Sequence, residues 1–331
     1  MKILFIGGTG NISGCVSRRV IAEGHDLWLL NRGLRPASLT GAHSLPADIK
    51  DPASVAAALG DRTFDVVVNW IAYTPEDIER DLALFSGRTG QYVFISSASV
   101  YEKPVRHPVI TEATPLINPF WPYSQKKIAC EERLQRAWAE RSFPVTIVRP
   151  SHTYDTIWPV LIGGSDFTYA SRIRRGLPIL VHGDGTSLWA VTHADDFAVG
   201  FTGLLGHPEA LGRAFHITSN EWLTWNRIYD TLGTVLGREP VKVHIPSEWL
   251  SHYEPSLRGP LFGDKMYSVI FDNSAIKRLV PAFAPSIPLH LGLRRTAAWF
   301  DADPVRQRIN PDHEALFERV LATWDKKGQR S

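Results

Sequence analysis

The tightest constraint on this chain sits at its start, where the apolar run at residues 3–6 leads directly into Gly7-Gly8-Thr9-Gly10-Asn11-Ile12-Ser13-Gly14 and then into a helical pattern. A strand apolar at every position is buried on both faces, as in a parallel sheet. Glycines at the junction of such a strand and a helix permit a tight turn and let backbone N–H groups approach a pyrophosphate. The helix amino terminus adds partial positive charge to the same spot. The plain alternative is a glycine-rich turn that binds nothing.

The pattern recurs. Residues 26–31, 44–47, 66–71, 92–96 and 145–149 read as further strands, with helices between them at 11–24, 52–60, 75–88 and 122–141. Asp51-Pro52 and Thr74-Pro75 supply a capping side chain followed by proline in the first turn. Repeated βα units of this kind predict an α/β fold with a doubly wound parallel sheet, the Rossmann fold. Beyond residue 150 glycine, proline and tryptophan become frequent. Residues 163–190 read as loops around a helix at 166–175, and 213–218 as one more strand. Helices are expected at 193–205, 224–236, 273–279, 290–301 and 312–325. The expected division is a Rossmann domain of residues 1–162 and 191–235 and a smaller, mixed carboxy-terminal substrate lobe of 163–190 and 236–331.

A net charge of +2, from 36 basic and 34 acidic residues, gives no electrostatic reason to expect nucleic acid or an anionic membrane as partner. The two cysteines, Cys15 and Cys130, are far apart, which disfavours a disulfide framework or zinc cluster and suits a reducing compartment. The opening MKILFIGG is too short for a signal peptide and runs into glycines, so a soluble cytoplasmic protein is expected.

Chemistry enters at Tyr123-Ser-Gln-Lys-Lys127. On a helix, Tyr123 and Lys127 are four apart and share a face. A free tyrosine has a pKa of roughly 10 and is a poor base at neutral pH, whereas a neighbouring ammonium favours phenolate. Ser96-Ser97 closes the fifth strand, where side chains line the ligand crevice of such sheets. A Ser97 hydroxyl there would hold a substrate oxygen while Tyr123 exchanges its proton. The alternative is that Ser97 satisfies local backbone and Tyr123 is a helix-start aromatic. At the end of the second strand, where an acidic residue would repel a 2′-phosphate, the chain has Asn31-Arg32, which points to NADP in preference to NAD. Asp48-Ile49 ends the third strand; Asp48 either accepts the adenine amino group or caps the following helix.

The glycine turn, Asp48-Ile49, SSASVY, YSQKK, Val148-Arg149-Pro150 with Tyr154, the GDG at 183–185 and His193-Ala-Asp-Asp196 resemble, in that order, the extended short-chain dehydrogenase/reductase superfamily, in its NAD(P)-dependent epimerase/dehydratase branch. The resemblance implies Ser97, Tyr123 and Lys127 as catalytic residues, with Lys127 also on the nicotinamide ribose. It implies a cofactor site from Gly7, Thr9, Gly10, Asn11 and Ile12, joined by Asn31 and Arg32, Asp48 and Ile49, Ile71 and Ala72, Tyr123 and Lys127, and Pro150. On the substrate side it implies Ser97, Ser99, Trp121, His152 and Trp189, with no metal. Relatives often pair through the helices at 75–88 and 122–141, so a homodimer is possible.

Departures from the family pattern narrow the chemistry. The third glycine falls on Ser13, the usual histidine after the fourth strand on Asn69, and the usual diphosphate-gripping arginine after GDG on Trp189. Arg172, Arg174 or Arg175 would have to replace that arginine; a solvated basic helix face is the favoured reading. The dehydratases' acid/base pair is replaced by Ala98 and Ser99, which disfavours elimination. His193 with Asp195 and Asp196 reads as a helix start. The expectation is an NAD(P)-dependent epimerase or reductase acting on a carbinol of a sugar-like or hydroxylated small molecule through a keto intermediate. The alternative is a catalytically idle NAD(P)-binding relative associated with RNA or protein.

Overall fold

The computed structural model describes residues 1–33 and 39–328. Seven strands form one parallel sheet: β1 (Lys2–Ile6), β2 (Asp26–Asn31), β3 (Ala42–Pro46), β4 (Phe64–Asn69), β5 (Thr89–Ile95), β6 (Val145–Pro150) and β7 (Ala214–Ile217). Their order is 3-2-1-4-5-6-7. β1 pairs with β2 from Lys2↔Asp26 to Ile6↔Leu30 and with β4 from Ile3↔Val66 to Ile6↔Asn69. The winding reverses between β1 and β4, and a crevice opens beyond their carboxyl ends.

The two-residue period of β1 shows why its run is wholly apolar. Ile3 and Phe5 pack on one face of the sheet with Val16 of α1 (Asn11–Ala22) and Phe197 of α6 (Ala194–Leu204). Leu4 and Ile6 pack on the other face with Val55 of α2 (Pro52–Leu59), Ile78 of α3 (Pro75–Phe85) and Leu134 of α4 (Pro122–Arg141). Asp51 caps α2 by accepting from Ala53 and Ser54 N–H, and Thr74 caps α3 through Asp77 N–H, both ahead of a first-turn proline.

A third apolar cluster holds the lobe together. It contains Trp158, Tyr169 of α5 (Thr168–Arg175), Trp225 and Tyr229 of α7 (Trp225–Leu236), and Phe317 of the helix Pro311–Gly328. Helix α7 therefore buries its apolar face with the lobe. Residues 163–190, read from sequence as loops around one helix, also contain the strand Ile179–His182, which pairs in parallel with Lys242–Ile245. Four residues between Pro178 and Gly183, with a partner far along the chain, leave too short a periodic signal to read.

Of the α5 arginines, expected to form a solvated face, Arg175 is exposed and Arg174 half-buried, whereas Arg172 departs from it. Arg172 is buried and bonds Glu318 at 2.7 Å and Glu314 at 3.1 Å. Arg174 meets Asp301 at 2.8 Å, and Arg175 meets Glu314 at 3.4 Å. All three are engaged by the carboxy-terminal helices, so none replaces the diphosphate-gripping arginine. Among the described residues no helix is long and apolar enough to cross a membrane.

Behind the crevice lies a buried ion pair. Arg149 on β6 reaches Glu131 on α4 at 2.6 Å, and the Ser96 hydroxyl donates to the same carboxylate. Arg149 also donates to Tyr101 Oη at 3.2 Å, and that oxygen bonds His216 Nδ1 at 2.9 Å. Removing one partner of such a pair leaves an uncompensated buried charge. Arg149→Met is expected to lower unfolding stability by about 3–5 kcal/mol, read as the shift in urea midpoint at pH 7; a loss below about 1 kcal/mol would show that the pair does not hold α4 to the sheet.

Candidate active site

Everything at the crevice starts from backbone geometry that β1 imposes on the turn after it. Gly7 and Gly8 have φ of 93° and 101°, a region unfavourable to side chains, and a Cβ on Gly8 would lie 2.7 Å from Leu29 Cδ2. Gly10 precedes α1, whose first N–H groups have no intrahelical partner and face the crevice. Ser13, in place of the third glycine, accepts from Gly10 N–H through its hydroxyl at 2.8 Å, which stiffens the turn. Asn11 uses its side chain structurally. Its amide donates to Thr153 O at 3.0 Å and accepts from the N–H groups of Asp155 and Thr156, tying the turn to the segment after β6.

The cavity above this turn has a volume of about 800 Å³. Gly7, Thr9, Gly10, Asn11 and Ile12 line it, as do Asn31, Arg32, Asp48, Ile49, Ile71, Tyr123, Lys127 and Pro150. Asn31 accepts from Gly33 N–H at 3.0 Å, shaping the tip on which exposed Arg32 stands. Asp48 accepts from Lys50 N–H at 3.0 Å, and the cap of α2 is Asp51, so the helix-cap alternative for Asp48 falls away. Ala72, by contrast, is buried, and its carbonyl is what matters: it accepts from Lys127 Nζ at 2.7 Å.

Asn69 explains how the loop after β4 is held. Fully buried, it donates to the Asp81 carboxylate and accepts from Ile71 N–H at 2.9 Å. Tyr92 Oη donates to the same carboxylate at 2.5 Å. The residue that replaces the family histidine thus fixes the loop carrying Ile71, Ala72 and Tyr73.

Helix α4 begins at Pro122 and carries Tyr123 and Lys127 on one face. Lys127 is buried, and its ammonium donates to Ala72 O and Ile95 O, both at 2.7 Å. It lies 4.4 Å from the Tyr73 ring centroid and 5.9 Å from that of Tyr123. Burial brings the lysine pKa down to about 8. The expected depression of the tyrosine by Lys127 is not what dominates here. Burial pushes the Tyr123 phenol up to about 12, with neighbouring Tyr73 acting the same way and a hydrogen bond to Ser97 opposing them. Desolvation outweighs a cation whose protons are directed at two carbonyls.

Ser97, partly exposed, stands at the head of a short 3-10 turn and joins a hydroxyl chain, Ser97 to Ser99 at 2.9 Å and Ser99 to Ser124 at 2.7 Å. Ser99 is buried inside that chain, so its expected contact with substrate gives way to orienting Ser97. Trp121, just before α4, has its ring centroid 4.9 Å from that of Tyr123. Trp189 is not near the crevice. It is 1 % exposed and stacks at 6.3 Å on Trp225 in the lobe core, because the strand that carries it pairs inward with Leu223–Thr224. His152 has a buried Nδ1 with no hydrogen-bond partner, and burial together with the nearby Lys265 charge takes its pKa down to about 3. His193 caps α6 by accepting from Asp195 N–H at 3.2 Å, and Asp196 accepts from Ser286 and Ile287 N–H.

Sequence reasoning missed Tyr73, which lines the cavity. Tyr73 was within reach, adjacent to Ala72 in a loop already singled out. Native His152 stays neutral to about pH 3, whereas the unfolded chain protonates it near 6.5, so acid favours the unfolded chain between those values. Stability should fall as pH drops below about 6.5, and His152→Gln should flatten the pH 7 to pH 5 dependence of the urea midpoint; an unchanged slope would contradict a buried neutral imidazole.

Three comparisons bear on this geometry. A family model described as "NAD dependent epimerase/dehydratase family" matches residues 3–218. The 2′-dehydrokanamycin reductase of Streptomyces kanamyceticus is 27 % identical over 286 residues, covering 86 % of this chain and 80 % of that protein. A chloroplast stem-loop binding protein of 41 kDa from Arabidopsis thaliana is 27 % identical over 268 residues, covering 77 % of this chain and 66 % of that protein. Among solved structures, the UDP-glucose 4-epimerase of Bifidobacterium longum in complex with NAD+ and UDP superposes with a TM-score of 0.74 at 17 % identity, over 92 % of this chain and 99 % of that one.

Proposed function

The chain belongs to the NAD dependent epimerase/dehydratase family, and from that membership we propose that it oxidises or reduces a carbinol carbon of a sugar-like or other hydroxylated small molecule, with Tyr123, Ser97 and Lys127 at the reacting centre. The observation that carries this reading is the place of Tyr123 and Lys127 together on the lining of a cavity of about 800 Å³ that runs back to a glycine turn with no room for a Cβ on Gly8. That cradle fits a dinucleotide: backbone N–H groups of the turn and α1 would take the pyrophosphate, Asn31 and Arg32 the adenosine ribose, and Lys127 the nicotinamide ribose. When bound, the nicotinamide supplies a hydride donor or acceptor.

The protein's own part is proton transfer. A phenol held at about 12 stays protonated at neutral pH and is poised to deliver its proton to an oxygen gaining negative charge, which suits the reductive direction. Ser97, oriented by Ser99, would steady that oxygen. Lys127 would then offset the phenolate left behind. Reduction is favoured over epimerisation on two further grounds: the match to the reductase relative covers 86 % of this chain, and Arg32, on the cavity lining at the tip of β2, would suit a 2′-phosphate, so NADPH is the proposed donor. Elimination finds no support, since Ala98 and Ser99 are buried and carry no acid or base. The RNA-associated reading has one relative behind it, but a net charge of +2 offers little phosphate affinity.

Tyr123→Phe is expected to cut kcat by about 10²–10⁴ while leaving the dissociation constant for NADPH within about twofold; turnover at the original rate would end the mechanism. Arg32→Ala should weaken NADPH binding about tenfold or more and leave NADH nearly unaffected, as measured by nucleotide fluorescence titration; equal losses for both nucleotides would remove the case for NADP.

A further inference from the structure

Each of the two backbone carbonyls that Lys127 grips has a ring beside it in sequence, and both rings flank the same nitrogen. Ala72 supplies one carbonyl, and the centroid of the neighbouring Tyr73 ring lies 4.4 Å from Nζ. Ile95 supplies the other, and the centroid of the neighbouring Phe94 ring lies 4.8 Å away. Phe94 is fully buried, whereas Tyr73 is 48 % exposed and lines the cavity. The backbone that presents Tyr73 is pinned on both sides. Asn69 Oδ1 accepts from Ile71 N–H at 2.9 Å, ahead of it. Asp77 accepts from the N–H groups of Tyr73 and Thr74 at 2.9 Å and 3.1 Å, and Arg80 holds that carboxylate at 2.8 Å. The loop thus sets a half-exposed ring over a buried charge, with the Tyr123 centroid 6.3 Å from its own.

Donor capacity gives that ring a task. An ammonium carries three N–H donors, and Ala72 O and Ile95 O engage two of them. The third has no oxygen or nitrogen acceptor among the described residues. The nearest negative density is the face of Tyr73, well inside the ~6 Å over which a cation and an aromatic face attract. We propose that Tyr73 is a positioning residue that acts through Lys127, its ring face steadying the ammonium at the reacting end of the crevice. This rests on the reading of Lys127 as partner of the nicotinamide ribose and of the Tyr123 phenolate, for which the amine has to carry its charge. Burial draws the lysine down to about 8, close enough to neutral pH for a modest attraction to decide how much of it is charged. Cys130 and Glu131 on α4 and Asp77 at the head of α3 act on the same amine in the favourable direction, and Tyr123 stays protonated where Lys127 titrates. The Tyr73 hydroxyl has no part in this; any ring with the same face would serve.

Ring fluorination at residue 73 of the full chain tests this, because fluorine drains negative charge from the ring face and leaves the shape nearly unchanged. The protein, with lysine carbon-13-labelled at Cε, is compared with Tyr73→Phe and with Tyr73→Phe whose ring carries one, two or three fluorines. The Cε resonance of Lys127, identified by its loss in Lys127→Arg, is followed against pH by nuclear magnetic resonance. Tyr73→Phe should titrate as the unaltered protein does. The apparent pKa of Lys127 should then fall with each added fluorine, by about half a unit or more for the trifluoro ring. A titration that stays put along the series, or rises with fluorination, overturns the proposal. So does a fall in Tyr73→Phe as large as that of the trifluoro ring, since the hydroxyl would then be the group at work. Calorimetric titration of the unaltered protein with NADP+ and NAD+ separates this from the function reading. Normal nucleotide binding with a flat fluorine series defeats the part of Tyr73 alone. Binding of neither nucleotide takes the role of Lys127, and this proposal with it, down.

Discussion

The hold of two backbone carbonyls on one ammonium organises the reacting end of this molecule. Lys127 donates to Ala72 O in the loop after β4 and to Ile95 O at the end of β5, both at 2.7 Å. One side chain on α4 thereby fixes the helix against the carboxyl ends of β4 and β5. A buried lysine that lacks such partners gives up its proton readily; these carbonyls stabilise the charged form, although burial still brings its pKa to about 8. The position of Tyr123, one turn earlier on the same helix, follows from this anchor and from the Glu131–Arg149 pair on the turn after it.

The anchor has a consequence for proton chemistry. An ammonium aimed at carbonyls does not approach the phenol closely, and a phenol enclosed by Trp121, Tyr73 and the lobe is costly to ionise. Both groups are therefore held near their neutral or protonated limits by the same desolvation. A proton-donating tyrosine follows naturally, whereas a resting phenolate would require the carbonyls to release their lysine.

The sheet and its nucleotide crevice were legible because every signal for them is local. An apolar strand, a glycine turn and a capped helix occupy consecutive residues, and Gly8 has φ of 101° because of the turn it makes. Residues that were misread sit where local pattern and tertiary role diverge. Trp189 follows the family register, yet its strand pairs inward and buries the indole against Trp225. Arg172 looks like part of a solvated face until the carboxy-terminal helix brings Glu314 and Glu318 across from more than a hundred residues away and buries it. The strand Ile179–His182 is defined by a partner at 242–245.

The same divide separates the two halves of the candidate site. The nucleotide end is built by the segments that form the sheet, so it can be read residue by residue from the chain. Next to Tyr123, Trp121 is packed against the π-helical turn Leu261–Lys265 of the lobe, which Asn118 and bonds to the Lys265 carbonyl hold in place. No stretch of sequence contains that packing, which exists only once the lobe meets Trp121. The glycine turn and the anchor of Lys127 are fixed without the lobe, because the contacts that hold each part are made by different side chains.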